Sequence, residues 1–546
     1  MKKMWLDTNV KSFIKLGICI SIAIVLWMLT GYMGETLFSV SAETYSDLKS
    51  GDVPEDLRKS FTENGISLSE KPQLSVKQAG VKWLVNDGDA AYVIEKEKEK
   101  LNIYVGVNPK GWHIFSIFVA VIISLILRPF PMGAMVLFGL VAVTATKGLT
   151  IQEALSGYAD KTVWLVVAAF IIAGAVVRTG FGRRVALILV SWLGKTTLGL
   201  GYAICGSELL LGPVVPSNTA RGGGILAPIV DALSRALDSY PDKNPERAGR
   251  FLVTVSSHAN LIVSAMFLTA MAANPILADL ADKILDIKFG WGTWALGSIV
   301  PGLTGLLLLP LLIYYLAKPT LKDASSARIK AREELTRIGP WTRKEKAMGG
   351  TLIALLLLWI IRPFSMNSTL IAWMGISILV LTGTEKWIDI AKNDKAWDTL
   401  IWFGGLVTMA TMLKEHGLIG WFADIMRVWV SGFDGIIVAI VLALIYFYSM
   451  YAFSMFTAHI LAMAAAFFAV SLAAGAPAML TVALFAYFSS LCGCLTNYST
   501  GPPVMYFSLG YVPIGRWFSW GFIISFFHLA VWFGVGMVWW KILGWW

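Results

Sequence analysis

The chain has 546 residues, 56% of them hydrophobic and only 15% charged, with a mean hydropathy of +0.67. That composition leaves too few polar residues to cover a water-soluble surface, so a soluble enzyme is excluded and a lipid-embedded bundle is indicated. The formal charge of +10 does not point to nucleic acid, because the basic residues stand in loops between apolar runs, as orientation in a membrane requires.

Lys2, Lys3, Lys11 and Lys15 lead into an apolar run that ends near Met33 and is too long for a signal peptide. Residues 1–33 therefore read as an uncleaved first transmembrane helix with a cytoplasmic N-terminus. Residues 34–111, with 13 acidic and 10 basic residues, then form an extracytoplasmic insertion. Val81 to Val85 and Leu101 to Val107 look like strands of a small folded unit, and nothing in it matches a chemical motif. Apolar helices follow at about 112–128, 132–148 and 162–178. The stretch Lys318 to Lys346 holds nine basic and four acidic residues and reads as a cytoplasmic loop over 318–348. It divides a first repeat, 112–317, from a second, 349–546. All four cysteines, Cys19, Cys205, Cys492 and Cys494, lie in apolar segments and offer neither a disulfide framework nor a zinc site.

An offset of 238 carries Trp164 onto Trp402 and Thr219-Ala220-Arg221 onto Thr457-Ala458-His459. Both tripeptides interrupt an apolar run, which predicts inverted repeats, each with a re-entrant hairpin, at 197–237 and 435–475. Backbone that leaves the helix at membrane depth must be buried in protein or line a wet cavity, so both tips are site candidates. In the first, Ser217, Asn218 and Thr219 are N-cap residues, and the amides behind them are expected to be free for an anion. Arg221 beside them needs a negative partner at that depth. Glu208 in the first arm is one candidate, a substrate or coupling role the other. At the second tip, Ser454, Thr457 and His459 are the polar groups, with His459 read either as a core residue or as a titratable functional one.

Each repeat carries a further break downstream. Thr269 to Pro275 interrupts a helix around 251–283, and Thr496 to Pro503 one around 478–510. Asn274 before Pro275, and Thr500-Gly501 before Pro502, read as caps that start new half-helices. The four helix starts, each bearing about half a positive charge, suit a dianion at one midplane cavity.

The residues Pro216-Ser217-Asn218-Thr219-Ala220-Arg221, Ser264-Ala265-Met266-Phe267-Leu268-Thr269 and Leu495-Thr496-Asn497-Tyr498-Ser499-Thr500-Gly501-Pro502, with Gly510-Tyr511 after them, resemble the divalent anion:sodium symporter family. Within it they are similar to the bacterial citrate/succinate antiporter branch, which includes plastid 2-oxoglutarate/malate translocators. The resemblance runs from about Trp112 to the C-terminus. It implies an all-α polytopic membrane protein with about 11 transmembrane helices, two re-entrant hairpins and an extracytoplasmic C-terminus. It further implies a homodimer in a bacterial inner membrane, with elevator-type exchange of di- or tricarboxylates: succinate, malate, citrate, tartrate or 2-oxoglutarate. Ser217, Asn218 and Thr219 would contact one carboxylate; Thr457, Thr500, Gly501 and Pro502 would lie around the other. Arg221 and protonated His459 would stand where symporters place sodium, so no cofactor is expected and sodium-independent antiport is favoured over sodium-coupled dicarboxylate or sulfate symport. The chain departs from this branch at Ala273, where a proline is usual, and in its longer insertion.

A membrane-embedded enzyme is the alternative of a different class. The five histidines, His113, His258, His416, His459 and His528, form no metal motif, and Gly222 to Gly224 lacks the lysine of a phosphate loop. A channel has no need of paired broken helices around one site.

Overall fold

The computed structural model describes residues 2–28, 32–41, 52–77, 82–87, 90–97, 99–106, 109–213, 215, 217–361, 366–418, 421–422, 426, 429–430 and 432–546. Val81 and Val107, expected in strands, and Val214 and Pro216, expected at the first tip, lie outside them. Among the described residues nine helices are long and apolar enough to cross a membrane.

Helix α1 (Lys2–Met28) packs along α3 (Pro109–Leu127), where the Trp112 indole donates to the Leu26 carbonyl at 2.8 Å and the Trp27 ring stacks on His113 at 4.4 Å. Between them stands a five-stranded antiparallel sheet of β1 (Tyr32–Ser41), β2 (Gln73–Lys77), β3 (Lys82–Asp87), β4 (Ala90–Glu97) and β5 (Lys100–Gly106), ordered β1-β5-β4-β3-β2. Its register aligns Trp83, Ile94 and Ile103 on one face. Leu57 and Phe61, one turn apart on α2 (Glu55–Glu63), cover that face and close a separate small core. Of the charged run, Glu95 to Glu97 end β4 and Lys100 opens β5, with Glu97 opposite Lys100.

The remaining helices follow in order. In the first half they are α4 (Met132–Ala145), α5 (Ile151–Leu155), α6 (Lys161–Thr179), α7 (Phe181–Leu193), α8 (Thr197–Leu211), α9 (Ala227–Ala236), α10 (Gly249–Met266), α11 (Asn274–Leu285) and α12 (Trp291–Ala317). Helix α13 (Ser325–Ile338) links them to α14 (Arg343–Ile361), α15 (Ser368–Leu381), α16 (Trp387–Ala391) and α17 (Asp394–Glu415). Then come α18 (Gly435–Ser449), α19 (Phe456–Ala473), α20 (Ala478–Leu491), α21 (Gly501–Ser508) and α22 (Ile514–Leu529), which runs on to Ile542. Helices α4 and α15 are both 14 residues long and begin 236 apart, at 132 and 368; α8 and α18 are both 15 residues long and begin 238 apart, at 197 and 435.

The stretch read as a loop over 318–348 holds α13 and the first turn of α14. Ala327 and Ala331 of α13 are buried, while Arg184 of α7 binds the Glu345 carboxylate through two nitrogens at 2.7 and 3.1 Å. Charge density hid this helix, because its seam is made of alanines, not of a long apolar face.

Candidate functional site

In the first half, α8 ends at Leu211, and the chain resumes helical form in a π-helical turn over Thr219–Leu226, continuous with α9. Such wide turns are frequent at functional sites. The polar tip caps itself: Asn218 Oδ1 accepts from the Thr219 amide at 2.9 Å, Ser217 Oγ from the Ala220 amide at 3.2 Å, and the Ser217 carbonyl from the Arg221 amide at 2.9 Å. The expectation of free amides here is therefore corrected, because the side chains that mark a cap also occupy the donors behind it.

Arg221 is fully buried and engaged on every side. Its Nε donates to the Glu208 carboxylate; Nη1 donates to the carbonyls of Val215 and Ala270 at 3.0 Å each; Nη2 donates to Ser264 Oγ at 3.1 Å. Asn260 Nδ2 joins this cluster, donating to Glu208 Oε1 at 3.0 Å and to the Asn218 carbonyl at 3.2 Å. Of the two roles open to Arg221, this conformation contains the ion pair with Glu208, which binds the tip to its own first arm and to α10. A guanidinium so occupied is not presented to a ligand.

The second tip repeats the geometry with other chemistry. His459 is fully buried; its Nε2 shares a 2.8 Å hydrogen bond with Ser449 Oγ, and its ring lies 4.1 Å from that of Tyr446. Tyr446 stands 238 residues after Glu208, so the same pair of positions holds an ion pair in one half and an aromatic contact in the other. Tyr446 also meets Ser489 Oγ of α20 at 2.8 Å, as Glu208 meets Asn260 of α10. Met455, the residue before α19, provides no side-chain cap, so the first-turn amides of Phe456, Thr457 and Ala458 receive no acceptor from it. Thr457 is half-buried at that turn.

The breaks divide into one that is closed and one that is open. Asn274 turns back, its Nδ2 donating to the Ser264 and Phe267 carbonyls at 2.7 and 3.0 Å, while Thr269 Oγ1 donates to the Pro213 carbonyl at 2.8 Å and accepts from the Trp291 indole at 3.0 Å. Asn274 thus satisfies backbone freed by the break, and Thr269 ties the break to the first tip. At the second break, Thr500 precedes α21 without a side-chain cap, and Pro502 and Pro503 remove two donors, so the first turn offers the Gly501 amide and the Thr500 hydroxyl.

This break meets the first tip. Asn218 Nδ2 donates to Thr500 Oγ1 at 3.3 Å, a Cβ on Gly501 would collide with Thr219 Oγ1, and Pro502 Cβ lies 3.2 Å from the Cβ position of Gly222. The Tyr506 hydroxyl donates to the Gly222 carbonyl at 3.0 Å. Ser217, Asn218, Thr219, Thr500, Gly501 and Pro502 thus form one cluster. The second tip reaches the same broken segment from elsewhere: the Phe456 ring occupies the space beside Gly493, and the Tyr498 hydroxyl donates to the Tyr451 carbonyl at 2.9 Å. Arg128, after α3, donates to the Ser454 carbonyl at 3.0 Å.

Sequence reasoning missed Asn260 and Tyr446 and gave Ser264, quoted within a motif, no role of its own. The polar stripe Ser256, Ser257, His258, Asn260 and Ser264 in a wholly buried helix was a usable signal for Asn260 and Ser264, and the 238-residue offset from Glu208 for Tyr446.

A multi-pass bundle whose first tip and second break meet in a polar cluster fits a membrane transporter. Residues 103–546 match the sodium:sulfate symporter transmembrane region, and the chain belongs to that family. It is 45% identical over 443 residues to a putative malate transporter, YflS, of Bacillus subtilis, covering 81% of this chain and 93% of the relative. It is 40% identical over 450 residues to the chloroplastic dicarboxylate transporter 1 of Arabidopsis thaliana, covering 81% and 80%. The crystal structure of the Alcanivorax borkumensis YdaH transporter shares the fold, with a TM-score of 0.51 at 13% identity over 73% of this chain and 89% of that one. Helix α1 and nearly all of the sheet lie outside the family match.

Proposed function

We propose that the chain exchanges di- and tricarboxylates of the succinate, malate, citrate, tartrate and 2-oxoglutarate class across a bacterial plasma membrane. The observation that carries this is the junction of Asn218 and Thr219 with Thr500 and Gly501, where hydroxyls, an amide side chain and a backbone amide converge without a fixed negative charge of their own. Malate and dicarboxylate in the names of relatives 45% and 40% identical support the same substrate class. One carboxylate would sit at this junction and the other at the amides behind Thr457. With the short α2, α5, α7, α13 and α16 left out, each broken helix taken as one span and α8–α9 and α18–α19 as re-entrant hairpins, the chain would make 11 spans in two inverted repeats, with the N-terminus in the cytoplasm and the C-terminus outside. Movement is of the elevator type within a homodimer.

Sodium-independent antiport is favoured because the second tip reads Met455-Phe456-Thr457, where a cation site needs oxygen ligands. Arg221 does not supply the fixed charge for this, since Glu208 pairs with it. The family match to sodium:sulfate symporters keeps sodium-driven uptake of a dicarboxylate or sulfate as the second reading.

Counterflow in proteoliposomes separates them. Labelled succinate is expected to enter only vesicles preloaded with dicarboxylate, with or without sodium. Sodium-driven entry into empty vesicles would replace exchange by symport, and entry of sulfate alone would replace the substrate class.

A further inference from the structure

A groove of about 430 Å³ runs between α1, α3 and α4, outside the substrate junction. Cys19, Ala23 and Trp27 form its wall on α1, facing Ile117 and Val121 of α3 and Ala142 of α4. The wall residues on α1 are four apart, so they lie in one row on one face. One turn before Cys19 on the same helix stands Lys15, and one turn before that Lys11, both exposed. The α3 wall points to the same end, because α3 finishes at Leu127 with Arg128 immediately after it. The Lys15 Nζ donates to the Leu127 carbonyl at 2.9 Å, which brings Lys15 beside Arg128.

The groove is apolar along its length, and Lys15 and Arg128 stand just beyond the Leu16 and Val121 end of its lining. The apolar spans begin at Lys11 in α1 and end at Leu127 in α3, so the cations stand at a bilayer interface and the groove extends inward from it. At the far end the polar atoms are used internally, with Thr146 Oγ1 and His113 Nε2 hydrogen-bonded at 2.8 Å. Two lysines one turn apart repel each other and favour a counterion. Lys15 and Arg128 are each held by one carbonyl and retain further donors.

We propose that this groove is a binding site for an anionic phospholipid, with its phosphate on Lys11, Lys15 and Arg128 and one acyl chain along α1, α3 and α4. A chain leaving bulk lipid for a groove gains little from the hydrophobic effect, so the headgroup contacts decide which lipid is held. A second copy's helix is the competing occupant, but charge complementarity selects the lipid. Arg128 also holds the Ser454 carbonyl at the second hairpin tip. A phosphate on Arg128 thus fixes the corner against which that tip rests, and the occupied groove regulates transport.

The test is native mass spectrometry of the full chain, with succinate counterflow in phosphatidylcholine vesicles with and without phosphatidylglycerol. Phosphatidylglycerol is expected to be retained at least tenfold over phosphatidylcholine and to speed exchange. Lys11→Gln with Lys15→Gln is expected to abolish both effects while leaving the phosphatidylcholine rate unchanged, and Ala120→Phe, which fills the groove but keeps the cations, is expected to abolish retention. Equal retention of the two lipids would overturn the site, and so would an acceleration that survives the double variant. A disulfide between copies formed by Ile24→Cys would assign the groove to a second protein copy and overturn it likewise. Retention is read without transport, so a wrong substrate class leaves this result standing.

Discussion

At the first hairpin tip Arg221 reaches back to Glu208 on its own first arm, whereas at the second tip His459 reaches back to Ser449 and lies against Tyr446. Tyr446 stands 238 residues after Glu208. Each tip residue is thus tied to the arm before it, and each arm residue is tied onward to a broken helix, through Asn260 or Ser489. An ion pair and an aromatic contact serve the same fastening. Capping separates the tips further. Ser217 and Asn218 consume the amides behind the first tip, while Met455 leaves those behind the second without a side-chain acceptor. Polar residues at the first tip mean fewer open backbone donors, and the apolar cap at the second means more. The arginine and histidine that look most like ligands in the sequence both reach back to the preceding arm in this conformation.

If Arg221 is a fastener, its removal leaves Glu208 buried without a partner. Arg221→Ala is expected to lower folding stability by about 3–5 kcal/mol, read as a large drop in melting temperature in detergent. Glu208→Tyr with Arg221→His, which copies the second tip into the first, is expected to regain most of it. A variant Arg221→Ala that melts like the wild type yet fails to exchange would instead make Arg221 a functional cation. Ser449→Ala is the matching change at the second tip. It leaves His459 Nε2 unpaired in the core, with an expected loss of about 1–3 kcal/mol in the same melting assay. Gly501→Ala acts at the junction, where the new methyl would displace Thr219. Exchange is expected to fall about tenfold, which corresponds to about 1.4 kcal/mol, with stability nearly unchanged.

These contrasts were only partly legible beforehand. Both breaks and the membrane class could be read because each depends on a local signal: an apolar run of fixed length, or a polar and proline-containing interruption of it. Glu208 was named as a possible partner of Arg221 because buried charges need one. What stayed hidden depends on contacts between distant segments. Asn274 and Thr269 carry cap-like residue types, yet their side chains serve carbonyls at Ser264, Phe267 and Pro213, positions that periodicity cannot connect. Helix α13 was missed because alanines, not long apolar side chains, form its buried seam. In the insertion, two strands showed in their runs of Val, Ile and Leu, while the charged β4–β5 turn disguised the pairing around it.

The smallest expected effect bears most directly on how the second tip works. Replacing Met455 by serine gives α19 the cap it lacks, and a hydroxyl there would accept from an amide of the first turn. Capping of this kind stabilises a helix by about 1 kcal/mol, so Met455→Ser is expected to melt slightly higher than the wild type. If those amides receive a carboxylate, the same hydroxyl competes with it and substrate affinity falls about fivefold, close to the same 1 kcal/mol. Stability and affinity would then move in opposite directions, read by melting and by the KM of counterflow. A more stable variant with unchanged KM would mean that the ligand does not use the second tip's amides and that the junction at Thr500 holds the substrate alone.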